Sequence, residues 1–323
     1  MLQERGVLSR ELEPKREGGR VLFPLVRTLE DSSLEFTEGD FSTRPHRIQS
    51  YMELAVIPEE LRHELPRSFD VVGDVVIVRL PKTLLPYCHE VGTALLSFVP
   101  GARVVAVDSG VQGEARLRAL EVVAGQGPLV TTYRENGLSF KVDLERAYFS
   151  PRLAGEHDHM SKVSQDGERL LDLFCGIGPF SLTVLSRCLH STAVGVDSNA
   201  QAIELMRENA ERMGVSARLE CRTEDAGNFL KGGGEFDRVV MNLPREGYKY
   251  LKLVGRLVKS PGWLHFYGLV PKGDIASKSD EVLEALSCGQ EPSEWSVKEV
   301  RVVHPYSPST SLVAFSLEKH ASC

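Results

Sequence analysis

The stretch Leu170–Leu182 decides the fold; it reads Leu-Leu-Asp-Leu-Phe-Cys-Gly-Ile-Gly-Pro-Phe-Ser-Leu. Its apolar start, its glycine pair and its apolar end behind a proline predict a buried strand, a ligand-binding loop and a helix. Gly176 and Gly178 let the backbone approach a ligand closely because they carry no Cβ atom. Pro179 suits the first helical position, where its missing N–H costs nothing. The turn therefore predicts a site for a nucleotide-type cofactor.

Two features of this turn select the cofactor. A dinucleotide-binding fold needs a third glycine, in the pattern G-x-G-x-x-G, which this chain lacks. Asp172, at the expected strand end, would repel a pyrophosphate and attract an ammonium group. The pattern D-x-F-x-G-x-G-x-F resembles the first motif of class I methyltransferases, whose cofactor S-adenosylmethionine has an amino group and a sulfonium but no phosphate. A dinucleotide-dependent oxidoreductase is therefore the least favoured hypothesis.

Composition limits the class of protein. The 323 residues are enough for two domains. The net charge of −7 does not indicate a nucleic-acid partner, so such binding must come from local basic patches. The six cysteines include no C-x-x-C pair, which argues against a zinc site and a disulfide framework and predicts a reducing, cytoplasmic location. Neither an apolar run of about 18 residues nor a secretory signal is present, so no membrane partner is expected.

The order of elements predicts three segments. Residues 1–48 are mostly polar and predict a small N-terminal module followed by a linker. Residues 49–147 predict a small α+β domain, with a helix at 84–98. The strand candidates of that domain lie at 69–80, 103–107, 119–123, 130–134 and 138–143. Residues 148–323 alternate strands with helices, end in a hairpin and predict a parallel α/β sheet with its ligand site at the carboxyl ends of the strands.

Polar residues follow three of these strand ends. Asp197 ends the strand after the glycine loop, where a carboxylate can accept both ribose hydroxyls. Asp225 follows the next strand and can accept from an adenine amino group, and Asn242 opens an Asn-Leu-Pro corner after the fourth strand. Taken alone, Asp197 is also typical of a helix cap, Asp225 of a loop acid and Asn242 of a turn residue. Because parallel strands bring these ends to one edge, a shared cofactor site is expected.

Two upstream segments add candidate residues. Tyr148–His157 reads YFSPRLAGEH and delivers Glu156 from what looks like a linker before the cofactor domain. Gly113–Arg116 offers an arginine between two strand candidates. Taken singly, each charged residue is more often a surface charge than a catalyst.

Five strings together resemble the archaeal and eukaryotic family of tRNA (guanine 37, N1) methyltransferases. They are YFSPRLAGE, DLFCGIGPF, NLP, GEAR and TRPHRIQSY, and the resemblance covers roughly residues 20–320. It implies a class I methyltransferase domain with a Rossmann-like sheet at 148–323, preceded by the α+β middle domain at 49–147. It also implies a monomer that binds tRNA at the anticodon loop and, through residues 1–48, at the elbow. The helical part of the family's first domain is expected to be missing here, which weakens elbow recognition.

The resemblance also implies roles for individual residues. Glu156 matches the general base and Arg116 the arginine that contacts guanine O6. Tyr148 matches an aromatic residue beside cofactor and base, Asn242 a residue where the two meet, and His157 a residue near the cofactor. The remaining implied cofactor contacts are Asp172, Phe174, Gly176, Gly178, Asp197, Ser198, Asp225 and Ala226.

The chemistry of guanine supports this assignment. Its N1 carries a proton and has no free lone pair in the base plane, so methylation needs a base at N1 and stabilisation of charge on O6. A glutamate and an arginine meet those needs, and no metal is required. Three alternatives stay open. They are a wyosine-pathway enzyme that transfers the aminocarboxypropyl group of the same cofactor, a dual-function methyltransferase that also acts on a wyosine precursor, and an inactive tRNA-binding scaffold.

Overall fold

The computed structural model describes residues 7–9, 11–27, 34–44, 48–112, 117–287 and 294–320, which fall into two units, Met1–Leu54 and Ala55–Cys323. The first unit contains one short hairpin, β1 (Lys15–Glu17) and β2 (Arg20–Leu22). Gly18 and Gly19 turn it with φ values of 57° and 79°, a region that glycine enters without strain. The unit ends in a 3₁₀ turn, Tyr51–Glu53, which is capped by the Ser50 side chain.

The second unit begins with a four-stranded sheet. Its strands are β3 (Asp70–Val72), β4 (Val75–Val78), β5 (Val104–Gln112) and β6 (Leu117–Gly125), adjacent in that order. The predicted strand at 69–80 is in fact the hairpin β3–β4, because Gly73 turns the chain at φ 58°. The α-helix α1 spans Cys88–Phe98, shorter than predicted, because a 3₁₀ turn containing Pro86 precedes it.

A separate hairpin links this sheet to the rest of the unit. β7 (Val130–Glu135) and β8 (Leu138–Asp143), close to the strand candidates at 130–134 and 138–143, turn at Asn136 and Gly137, both at positive φ. The Lys141 backbone exchanges two hydrogen bonds with the Asn209 side chain, at 2.7 and 3.0 Å. One core cluster runs from Val72 through Phe140 to Leu170. The four-stranded sheet, this hairpin and the strand that contains Leu170 therefore share packed side chains.

Seven strands form the central sheet. They are β9 (Arg169–Leu173), β10 (Thr192–Asp197), β11 (Leu219–Thr223), β12 (Phe236–Met241), β13 (Val258–Pro271), β14 (Trp295–Pro305) and β15 (Thr310–Lys319). Their order is β11-β10-β9-β12-β13-β15-β14, and β15 runs antiparallel to both neighbours. The chain leaves the central β9 first towards β10 and later towards β12, so the strand order reverses beside β9. Ligands of open α/β sheets bind at such a reversal.

Helices cover both faces of the sheet. α2 (Ala154–Val163), α3 (Pro179–Arg187) and α4 (Ala200–Arg212) contribute to one core cluster. The short α5 (Ala226–Phe229) and α6 (Leu251–Val254) and the longer α7 (Ile275–Ser287) contribute to the other. The expected α/β class with a preceding small α+β sheet and a short N-terminal module is confirmed. In the described part of the chain, no helix has the length and apolarity needed to cross a bilayer.

The helix α2 is the element that the sequence does not reveal. Its buried residues include Glu156, His157 and Ser161 beside Met160, so its inner face is mainly polar and shows no apolar period. The segment therefore resembles a linker in the sequence, whereas it is a helix packed against α3. The glutamate is delivered by the first turn of a helix rather than by a flexible connection.

Candidate active site

The glycine loop between β9 and α3 is fixed to β10 by its backbone. The N–H groups of Phe174 and Cys175 both donate to the Val196 carbonyl, at 2.9 and 3.0 Å. Phe174 adopts φ 75°, which costs a non-glycine residue about 1–2 kcal/mol. The Gly176 N–H donates to Asp197 Oδ2 at 2.8 Å. The loop is thus held in one shape at the carboxyl edge of the sheet.

A cleft of about 220 Å³ opens above this loop. Seven of the residues predicted from the sequence lie on its wall, namely Tyr148, His157, Phe174, Gly176, Asp197, Ser198 and Asn242. They come from the segment before α2, from the first turns of α2 itself, from the glycine loop, and from the ends of β10 and β12. The structure therefore brings the upstream segment and the cofactor loop to the same cleft.

Asp197 is oriented by two backbone groups. Oδ2 accepts from Gly176 N and Oδ1 accepts from Asn199 N, at 2.8 and 2.9 Å. Burial raises the pKa of this carboxyl, although both hydrogen bonds oppose the shift. Each oxygen keeps a further lone pair, so the carboxylate can still accept two hydroxyl groups.

Asp172 is placed differently from the sequence expectation. β9 continues to Leu173, so Asp172 lies inside the strand and is not on the cleft wall. Its Oδ2 accepts from the Ser181 hydroxyl and N–H at 2.7 and 3.2 Å. Oδ1 has no hydrogen-bond partner among the described residues. Burial raises the pKa of Asp172 to about 6. A buried carboxylate with hydrogen bonds to only one of its two oxygens among the described residues therefore lies beneath the loop.

A buried pair that the sequence does not indicate flanks the same cleft. The Nδ1 atom of His157, a residue of the cleft wall, forms a hydrogen bond with Glu135 Oε1 at 2.7 Å. Both side chains are almost fully buried. The imidazole packs edge-on against Phe180, with ring centroids 4.6 Å apart. No described atom hydrogen-bonds to Nε2. Glu135 ends a strand that is 22 residues upstream, so no local pattern links it to His157.

Glu156 is buried and does not line the cleft. Its Oε2 accepts from the Tyr267 hydroxyl at 2.9 Å and from Arg301 Nη2 at 2.8 Å. Leu153 and His157, on either side of it in the same segment, do line the cleft. The carboxylate therefore lies just behind the wall, held from the strands β13 and β14.

Among the described residues, three other predicted residues, Asp225, Ala226 and Gly178, are not on the cleft wall. Asp225 is exposed, and its side chain caps α5 by accepting from Asn228 N at 3.1 Å; Ala226 follows as the first residue of that helix. Gly178 has φ 85°, and a Cβ atom there would lie 2.7 Å from Met206 Cγ, so this glycine serves packing. Arg116 lies outside the described residues.

Several cleft residues were not predicted from the sequence. Leu269, His304, Tyr306 and Leu312 come from the C-terminal strands and their turn. Arg118, at the start of β6, lies 5.3 Å from the centroid of the Tyr148 ring and donates to the Phe149 carbonyl at 3.2 Å. These residues lie far from the glycine loop in the sequence. No local sequence pattern therefore indicates their contacts.

The Asn-Leu-Pro corner is held by backbone bonds on both sides. Leu243 O accepts from Gly247 N at 2.7 Å, and Pro244 O accepts from Leu269 N at 3.2 Å. The next residue, Arg245, donates to the Tyr306 hydroxyl at 2.6 Å. The corner thus presents Asn242 at a fixed place on the cleft wall.

A second cavity, of about 490 Å³, lies between the β7–β8 turn and the ends of α3 and α4. None of the predicted site residues lines this cavity, and no residue of the glycine loop does. The cleft above the glycine loop is therefore the candidate site, and its residues suit an adenosyl cofactor. Asp197 can bind a ribose, and the uncompensated charge of Asp172 favours a cationic ligand. Fold and site together define a class I methyltransferase, with S-adenosylmethionine as its cofactor.

Comparison with known proteins narrows this class. The profile of the TRM5/TYW2 methyltransferase domain matches residues 131–293, and that of the TYW2 N-terminal domain matches residues 48–128. The tRNA (guanine(37)-N(1))-methyltransferase Trm5b of Pyrococcus abyssi is 33% identical over 84% of this chain and 81% of its own length. The chain belongs to the TRM5/TYW2 methyltransferase family, as the sequence motifs led us to expect.

Solved structures agree with this assignment. The crystal structure of Trm5b from Pyrococcus abyssi has a TM-score of 0.86 at 30% identity and matches 99% of this chain and 94% of that one. A complex of aTrm5 with tRNALeu has a TM-score of 0.76 at 27% identity and matches 99% and 95%. A tRNA(Phe) (4-demethylwyosine(37)-C(7)) aminocarboxypropyltransferase of Pyrococcus horikoshii is 27% identical over 67% of this chain and 76% of its own.

Proposed function

We propose that this protein transfers the methyl group of S-adenosylmethionine to N1 of guanine 37 in tRNA. One observation carries the proposal, the convergence of the glycine loop, the Tyr148–His157 segment and the Asn242 corner on a single cleft. The Trm5b relatives of Pyrococcus abyssi and Methanocaldococcus jannaschii carry this activity in their names. We also propose that the enzyme acts as a cytoplasmic monomer that contacts the anticodon loop and, through residues 1–48, the elbow of the tRNA.

In this proposal the glycine-loop side of the cleft holds the cofactor. Asp197 accepts the ribose hydroxyls, and Phe174, Gly176 and Ser198 flank the adenosyl group. The Nε2 atom of His157, which the structure leaves without a described partner, contacts the amino-acid end. Asp172 acts from beneath the loop by its charge. Asp225 and Ala226 stand at the adenine end. Bound S-adenosylmethionine supplies an activated methyl group.

The opposite side of the cleft takes the flipped guanine, since its N1 edge is inaccessible in a stack. Tyr148, which is 46% exposed, offers a ring on which the base stacks. Asn242 lies between base and cofactor. Glu156 takes the N1 proton as the N1–CH₃ bond forms and the S–CH₃ bond breaks, which leaves S-adenosylhomocysteine. Arg116 stabilises the charge on O6, and the contact of its neighbour Arg118 with Tyr148 supports a role for this segment.

A specific observation favours a second candidate. Residues 48–128 match the TYW2 N-terminal domain, and the Pyrococcus horikoshii relative is an aminocarboxypropyltransferase. Such an enzyme uses the same cofactor but breaks a different S–C bond. The higher identity and coverage of the Trm5b relatives favour methyl transfer.

Doubly labelled cofactor separates the two reactions. One preparation carries label in the methyl group and the other in the carboxyl group, and each is incubated with tRNA transcripts that have guanine or adenine at position 37. We expect methyl label in the guanine transcript only and no carboxyl label in either. Carboxyl label in the tRNA would identify the aminocarboxypropyltransferase. A protein that binds the transcript but transfers neither label is the scaffold.

A further inference from the structure

The environment of Glu156 is built by three adjacent strands. Tyr267 of β13 and Arg301 of β14 both pair with Ala314 of β15, so the three residues form one row across the sheet. Residues that pair directly in a sheet point to the same face. On this face Glu156 of α2 hydrogen-bonds to Tyr267 and Arg301, the two residues that flank the small Ala314 in the row.

The Glu156 carboxylate is unevenly engaged. Oε2 accepts two strong hydrogen bonds, from the Tyr267 hydroxyl at 2.9 Å and from Arg301 Nη2 at 2.8 Å. Within the described part of the chain, Oε1 accepts only a long contact from Arg301 Nε at 3.5 Å, where a hydrogen bond is weak. Arg301 also pairs with Glu299 on its own strand. One carboxylate oxygen is therefore fixed and the other keeps lone pairs for a proton.

Both partners of Glu156 are suited to donate hydrogen bonds to a carboxylate. Burial raises the pKa of Tyr267 far above its usual value, so the phenol stays a donor. Burial alone would lower the pKa of Arg301, but its bonds to Glu156 raise it, so the guanidinium stays charged. A buried carboxylate without such partners would carry a large desolvation cost. The row thus keeps an acceptor available inside the fold.

The next row along the same strands reaches the cleft. Leu269, Leu312 and His304 are paired across the sheet and line the cleft wall. On β13 and β15 the two rows are two residues apart, about 7 Å. On β14 they are three residues apart, because the register shifts between Val302 and His304. Glu156 therefore lies one row behind the part of the wall that Leu269, Leu312 and His304 form.

We infer that Tyr267 and Arg301 form a carboxylate socket that positions Glu156 beside the base-binding half of the cleft. The inference rests on the proposed function, in which Glu156 takes the N1 proton. Tyr267 and Arg301 are positioning residues because they act on the reaction through Glu156 alone. Neither is needed to bind cofactor or tRNA.

The test measures kcat and KM for methyl transfer to a tRNA with guanine 37, using the full chain. We expect Arg301→Gln to lower kcat by about 10–100-fold and Tyr267→Phe by about 3–10-fold, with both KM values within about twofold. Arg301→Lys restores the charge and should recover part of the lost kcat. Lys298→Gln, which breaks an exposed ion pair with Glu318 on the same hairpin, is the matched control and should match the wild type.

A double-variant comparison separates positioning from general stability. In a Glu156→Gln background, Arg301→Gln should lower kcat by less than about twofold, because both changes remove the same function. An unchanged kcat in Arg301→Gln and Tyr267→Phe would overturn the inference, as would an equal loss in both backgrounds. If Arg301→Gln does not fold, Tyr267→Phe decides, since it removes only a hydroxyl.

The experiments distinguish failure of the proposed function from failure of the socket. If the wild type transfers no methyl group to guanine 37, that proposal falls before any variant is made. If Glu156→Gln keeps the wild-type kcat, the glutamate is not the base, and the socket falls with it. If Glu156→Gln is inactive while the socket variants are normal, only the socket is wrong.

Discussion

The two sides of the cleft differ in how far apart in the sequence their contacting residues lie. On the cofactor side, Gly176 bonds to Asp197 only 21 residues away, and the loop follows its strand directly. On the base side, Glu156 is held by Tyr267 and Arg301, which are 111 and 145 residues away. The comparison teaches that the cofactor side is a local property of one strand–loop–helix unit. The base side exists only after the C-terminal strands join the sheet.

The strongest way to separate the two sides is to remove the proposed base. Glu156→Gln keeps the size of the side chain and the hydrogen bond from Tyr267 but cannot take a proton at neutral pH. We expect kcat to fall by about 10²–10⁴-fold, the usual contribution of a general base. Cofactor affinity measured by calorimetry should not change. A parallel loss of affinity would show that the two sides are not independent.

The matching change on the cofactor side is Asp197→Asn. It weakens acceptance of the ribose hydroxyls and of the Gly176 N–H, so cofactor affinity should fall by about 10–100-fold, or about 1.4–2.7 kcal/mol. With saturating cofactor, kcat should stay within a few-fold of the wild type. Asn228→Ala, on the exposed α5 cap away from the cleft wall, serves as the control in the same titration. A fall in kcat with unchanged affinity would contradict the assignment.

Asp172 offers a test by pH. Its folded-state pKa, about 6, lies above the ordinary value of 3.8, so the folded protein binds this proton more tightly than the unfolded chain. Stability from this group is therefore present at low pH and is lost as the pH rises towards 6. Asp172→Asn should raise the unfolding free energy at pH 8 by about 1–2 kcal/mol, while it weakens cofactor binding.

Urea unfolding at pH 4 and pH 8 checks this expectation. The difference between Asp172→Asn and the wild type should shrink towards zero at the lower pH, where both side chains are neutral. A variant that is less stable than the wild type at pH 8 would contradict the role of Asp172 as a buried charge that is kept for binding.

The two loop glycines give the smallest effects and form a matched pair. Gly178→Ala must place a Cβ atom at positive φ and 2.7 Å from Met206 Cγ, so it should cost about 1–2 kcal/mol of stability. Gly176→Ala also has a positive φ, 55°, but meets no atom closer than 3.8 Å, so it should cost about 1 kcal/mol, the lower end of that range. Gly176→Ala should nevertheless weaken the cofactor more, because only Gly176 lines the cleft. The reverse order in either measurement would contradict this division of roles.

The cofactor side could be predicted from the sequence because its signals are local. The glycine pair, Pro179 and the acid after the next strand each have a fixed position in a strand–loop–helix unit. The expectation about Asp172 was less accurate, since β9 runs one residue further than the apolar pattern suggests. Asp225 shows the limit of such signals, because its visible contact is a helix cap.

The base side could not be predicted in the same way. α2 has a polar inner face, so periodicity does not reveal it, and Glu135 and Arg301 are charged residues in strands that look exposed. Only the register of β13, β15 and β14 brings Tyr267 and Arg301 to one row. Their pairing with Glu156 follows from tertiary packing, which no local pattern encodes.

The most direct measurement of the central claim is the position of the transferred group. A tRNA transcript with guanine at position 37 is incubated with the protein and S-adenosylmethionine, digested, and its nucleosides are identified by mass and chromatography. We predict N1-methylguanosine at position 37 from the wild type and its loss with Glu156→Gln. Methylation at another atom or another base, or an aminocarboxypropyl product, would contradict it.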